Sequence, residues 1–151
     1  MLTFAAFLPH PPIIIPTIGS PLDLQKVSKT LKSIEKITEI FGQTHSETVI
    51  IVSPHAPLFP DAFSLNLSPT FVGRFLNFGD FSTELMYKND LNLANSILEA
   101  ANSTNIPIRT IQSNELDHGT LVPLYFLSQT QPSINLVSLG FSFLSRVTHY
   151  N

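Results

Sequence analysis

The chain has no cysteine among its 151 residues. That removes disulfides, zinc ribbons and thiol nucleophiles from consideration, and it leaves a cytoplasmic location as the default expectation. Charge is scarce as well: Asp, Glu, Lys and Arg make up 13% of the sequence, with a formal net charge of -3. No Lys/Arg cluster supplies a basic footprint, so no nucleic-acid partner is expected. Long apolar runs are also missing. None approaches the ~20 residues of a membrane span, and residues 1–8 lack the basic flank of a signal peptide before Pro9 interrupts them. A soluble protein with no membrane partner is the expectation. Glycine-rich phosphate loops are absent, and neither Ser53 nor Ser64 sits in a nucleophile elbow.

What is present is enough apolar sequence, 43% of the chain, to build a single domain with a sizeable core. Residues 2–8 form a nearly continuous apolar run that reads as a strand buried on both faces. Ser20-Pro21-Leu22-Asp23 reads as a helix start, with Ser20 as N-cap, proline in the first turn and an acid three residues on. Leu24, Val27, Leu31, Ile34, Ile37 and Phe41 then recur at helical spacing up to Gly42. Residues 48–52 read as a second buried strand, which completes a βαβ unit with parallel pairing.

Residues 62–67 and 71–78 alternate apolar and polar side chains, the pattern of a hairpin or two edge strands about Ser68-Pro69. Asn89-Asp90 caps a helix running to about residue 102. Residues 106–111 and 134–139 read as a third and a fourth core strand, separated by a short helix over 121–128. The fold expected is a three-layer α/β/α domain with a central mixed, mostly parallel sheet. From Phe143 onward the sequence reads as entry into a new helix, with Arg146, His149 and Tyr150 in its first turns, and it stops before an apolar period is complete. A domain lacking its C-terminal part is therefore expected, with uncovered sheet edge and apolar surface that favour a homo-oligomer.

Three histidines share one kind of setting. His10 lies in Phe7-Leu8-Pro9-His10-Pro11-Pro12, His55 in Val52-Ser53-Pro54-His55-Ala56-Pro57, and His118 in Leu116-Asp117-His118-Gly119-Thr120. Each follows an expected strand, at the sheet edge where open α/β proteins bind ligands. Prolines restrict the backbone about His10 and His55 and so fix where each imidazole points. Neutral imidazole binds borderline divalent metals and also shuttles protons near neutral pH. A lone loop histidine is ordinarily a packing or surface residue; three in like settings favour a shared metal or acid–base site.

His45, in a polar link, and His149 lack that setting. Asp117 either orients His118 or caps a helix. Arg74 reads as a solvated edge-strand residue, Asn77 as a weak substrate-contact candidate, and Gly73, Gly79 and Gly119 as turn residues. Glu115 is close to His118 in sequence, which does not place it on a metal.

The motifs Leu8-Pro9-His10-Pro11-Pro12, Ser53-Pro54-His55-Ala56-Pro57 and Glu115-Leu116-Asp117-His118-Gly119-Thr120 resemble those of the class III extradiol ring-cleavage dioxygenases. The likeness is closest to the small branch associated with AmmeMemoRadiSam proteins, related to the ring-opening catalytic B subunit. It continues through Gly73-Arg74-Phe75, Asn77-Phe78-Gly79-Asp80, Asn89-Asp90 and Pro123-Leu124-Tyr125-Phe126-Leu127. The resemblance implies a mononuclear non-haem iron(II) site, although another divalent ion such as zinc is also compatible. His10 and His55 match metal ligands, and His118 matches an acid/base beside the substrate. The third ligand, a carboxylate, is expected beyond Asn151. The implied reaction is O2-dependent extradiol cleavage of a small catechol-type ring. The alternative is a Memo-like metal-binding or protein-interaction protein without ring cleavage.

Overall fold

Local capping starts the first helical layer. Ser20 and Asp23 form a reciprocal capping box, each side chain accepting from the other's backbone N–H, and Pro21 opens α1 (Pro21–Lys26). The chain leaves helical geometry at Val27 and resumes as α2 (Ser28–Gln43), so one expected helix is built as two. Gly42 does not end it. It lies in the last turn, packed so closely on Thr130 that a Cβ would stand 2.9 Å from the threonine Cβ. The structure, a computed structural model, describes residues 1–143; the helix expected from Phe143 onward, with His149, lies outside the described residues.

The strands are β1 (Thr48–Ser53), β2 (Phe63–Asn66), β3 (Thr70–Arg74), β4 (Glu84–Lys88), β5 (Ile108–Ile111) and β6 (Asn135–Gly140). Four of them form the main sheet in the order β1-β6-β2-β5. β1–β6 and β2–β5 are parallel, and β2–β6 is antiparallel. The remaining helices are α3 (Leu91–Ser103), capped by Asp90, and α4 (His118–Leu127), capped by Asp117. Phe41 of α2, with Leu124 and Leu127 of α4, packs with Leu136, Val49 and Ile51 on one sheet face. Ala94 and Ile97 of α3 pack with Leu65, Val137 and Leu139 on the other. The result is the three-layer α/β domain with a mixed, mostly parallel sheet that was expected. Buried residues occur all around α4, as befits a helix enclosed by its neighbours.

Three expectations are corrected. Residues 2–8 form no strand, so the first βαβ unit does not arise; β1 pairs instead with β6. Only Phe4 and Leu8 of that run pack on the core clusters, Phe4 against Phe41 at 5.9 Å between ring centroids. An apolar run signals affinity for the core, but it does not specify a ladder partner. Second, 62–67 and 71–78 do not pair with each other: β2 enters the main sheet, and β3 pairs with β4, which the sequence reading had not marked. Pro69 in the link offers no N–H to continue a ladder. Third, β5 is an edge strand and only half-buried. Among the described residues no helix is long and apolar enough to cross a membrane.

Candidate metal centre

β1 ends in Ser53, fully buried, whose Oγ does two things. It accepts from the His55 backbone N–H at 3.1 Å and donates to Asp117 Oδ1. Asp117 in turn caps α4: Oδ1 accepts from Thr120 N at 3.1 Å, and Oδ2 accepts from Thr120 Oγ1 at 2.9 Å. One carboxylate therefore ties the C-terminal end of β1, with His55 just beyond it, to the helix that begins with His118. This decides the role of Asp117: its side chain caps the helix and braces the β1 turn.

Gly119 completes the joint. A Cβ at this position would clash with Ser53 Oγ and stand 3.0 Å from His55 Cδ2. Glycine is required here because α4 approaches the strand end closely. The backbone about His10 is held on its C-terminal side by a single 3-10 turn, Pro12–Ile14, and by Ile14 and Ile15, both buried in the core.

These supports bring all three histidines together. His10 Nε2 and His55 Nε2 are 3.1 Å apart. The His118 ring lies 4.0 Å from that of His55 and 6.0 Å from that of His10, centroid to centroid. Two imidazole nitrogens each about 2.1 Å from one ion, at roughly a right angle, would be separated by about 3 Å. The His10–His55 pair fits that requirement. Burial pushes the His118 imidazole below its ordinary pKa; His55 and His10 add to the shift, and Asp117 opposes it. A neutral ring is thereby favoured at neutral pH.

The remaining candidates fall elsewhere. His45 sits in the turn after α2 with a positive φ of 50°. Arg74 is exposed and pairs with Glu84 at 2.6 Å, across β3–β4, as a solvated edge-strand residue does. Asn77 is exposed in a second 3-10 turn, Leu76–Phe78. Glu115 is exposed, and its backbone bridges Val72. Among the described residues no group of three or more His, Asp or Glu side chains is placed to hold an ion.

Behind the Asp117 turn lies a cavity of about 40 Å³, lined in part by Ser64, Asn66, Asp117 and Ser138. It has room for a water, and the buried Ser64 Oγ has no hydrogen-bond partner among the described residues. The sequence reading missed Ser53 and Gly119 as supports of the site. Their only signal was position, immediately before Pro54-His55 and immediately after His118.

Residues 4–151 match the family described as the catalytic LigB subunit of aromatic ring-opening dioxygenase. The chain is also similar to Protein CA_C1420 of Clostridium acetobutylicum, with 31% identity over 153 residues, 95% of this chain and 32% of the relative. It thus spans about a third of the length of that curated relative. The matched span takes in the His10 turn, the His55 turn and the start of α4, and the chain belongs to the family of catalytic LigB subunits of aromatic ring-opening dioxygenases.

Proposed function

We propose that this chain carries the greater part of a non-haem iron(II) site for O2-dependent extradiol cleavage of a catechol-type ring. His10 and His55 are the metal ligands in this reading, and His118 is the acid/base. The observation that carries it is the convergence of three imidazoles from separate parts of the chain, with two Nε2 atoms 3.1 Å apart. Membership of the ring-opening dioxygenase family supports the reaction class. A bound iron(II) ion would supply Lewis acidity toward the catechol hydroxyls and electrons toward dioxygen.

The protein's own part is positional. Ser53 and Asp117 hold the His55 turn against α4, so His55 and the acid/base His118 keep a fixed relation. His118, partly buried and favoured in its neutral form, takes a proton from a substrate hydroxyl and returns it later. The carboxylate that completes a two-histidine-one-carboxylate face comes from outside the described residues.

The test uses the full-length protein. His10→Ala and His55→Ala should each abolish iron(II) binding, read as metal per chain after desalting. His118→Ala should retain the metal and lose about 10²- to 10⁴-fold in oxygen uptake with a catechol panel, the range general acid–base catalysis supplies. Undiminished metal in both ligand variants overturns the site. Bound iron with no turnover across the panel favours the Memo-like alternative.

A further inference from the structure

Beside the histidines stands an aromatic side chain that the site described so far does not use. Phe78 closes the 3-10 turn Leu76–Phe78, and its ring lies 5.4 Å from that of His118 at 64°, an edge-on approach. It is 39% exposed, and it belongs to none of the three buried clusters among the described residues. Its place is not explained by core packing.

The mount beneath it is rigid. Phe75, at the N-terminal side of the turn, is fully buried with Ile14 and Ile15, in the segment that follows His10. The Phe75 carbonyl accepts from Phe78 N at 2.8 Å and from Asp80 N at 3.4 Å. Gly79 ends the turn with φ of 85°, a left-handed conformation that glycine adopts without steric penalty. Asp80 is buried and accepts five hydrogen bonds: from Thr17 Oγ1, from the backbone and hydroxyl of Ser82, and from the backbone and hydroxyl of Thr83. Thr17 belongs to the loop that leaves His10. The turn is thus fixed to the His10 side of the site through Phe75 and Asp80, and its ring meets the His118 side.

We propose that Phe78 is a specificity residue, the aromatic wall against which the substrate's ring packs while its hydroxyls face His10, His55 and His118. This rests on the ring-cleavage reading above and adds a residue to it. An exposed phenyl held 5.4 Å from the His118 ring offers an apolar contact surface beside that imidazole. Aromatic rings meet such a surface edge-to-face or offset, with a preference beyond the apolar area buried. Non-aromatic chelators of the same metal gain nothing from it.

The experiment uses the full-length, iron(II)-loaded protein under anaerobic conditions and two probes. One is 4-nitrocatechol, followed by its visible absorption; the other is acetohydroxamate, a bidentate chelator without a ring. Phe78→Ala should weaken 4-nitrocatechol binding about tenfold, with metal content unchanged and acetohydroxamate affinity within about twofold of wild type. Phe78→Leu, which keeps apolar bulk and guards against a folding defect, should show an intermediate loss for 4-nitrocatechol alone. Equal losses for both probes, or no loss for either, overturn the assignment of Phe78. Wild-type protein that holds iron but binds no 4-nitrocatechol overturns the ring-cleavage reading itself, and this contact with it.

Discussion

Gly119 shows how little separates a support from a ligand. Its neighbours are Ser53 Oγ, Asp117 Oδ1 and His55 Cδ2, so an added methyl has to displace the Ser53–Asp117 joint that supports the His55 turn. Gly119→Ala should lower stability by roughly 1–3 kcal/mol through overpacking. It should also weaken iron(II) binding, measured by competition with a chelating dye, by more than that destabilisation accounts for. Unchanged metal affinity would mean that the joint tolerates a shift without moving His55. The three histidines were legible in the sequence because prolines after apolar runs mark two of them and a helix start marks the third, although only the run before His55 is a strand. Ser53 and Gly119 were not legible as a pair, since their contact joins residues far apart in the chain.

The turn anchored by Asp80 is the element most sensitive to acid. Hydrogen bonds, first from Thr17 and then from Thr83, hold its carboxyl well below the usual range and outweigh the opposing effect of burial. Asp90, which caps α3 and accepts from Thr48, is lowered in the same direction, chiefly by the Leu93 N–H. A carboxyl with a lower pKa folded than unfolded contributes stability that is fully present above about pH 5. That contribution is lost as pH falls through the unfolded value near 4 and below.

Urea midpoints should therefore fall between pH 6 and pH 3. Asp80→Asn should flatten that slope, leaving the shares due to Asp90 and to Asp23, which the Ser20 hydroxyl lowers likewise, and should cost roughly 1–3 kcal/mol at pH 7. A variant with the wild-type slope would remove Asp80 from the account. At this scale the helices were the most readable part, because capping and 3.6-residue spacing are local signals. The β3–β4 pairing and the unpaired run at 2–8 were less so, because ladder partners are chosen by the whole sheet.

Across the whole molecule the sheet is covered unevenly. Val49 and Ile51 of β1 pack toward α2 and α4, but Ile50 and Val52, on the α3 face, are each 47% exposed. α3 covers β2 and β6 on that face and leaves β1 open. Substitution effects should follow this asymmetry. Leu136→Ala, at a fully buried position in the central strand β6, should cost about 2–5 kcal/mol. Ile50→Thr should cost less than about 1 kcal/mol. Equal losses in chemical denaturation would show that the open half is covered in solution. The layer architecture itself could be read from the alternation of strand and helix patterns, whereas the strand order could not, because β6 and β2 become neighbours through tertiary packing.

The His10–His55 contact spans 45 positions in the chain, and the Ser53–Asp117 hydrogen bond spans 64. Each contact joins segments that only folding brings together, so the paired imidazoles exist only in the folded ensemble. An ion that engages both rings is therefore linked to folding, raising stability by RT ln(1 + [L]/Kd). Melting temperature followed against ion concentration would then report the affinity of the centre, whether or not any substrate is turned over.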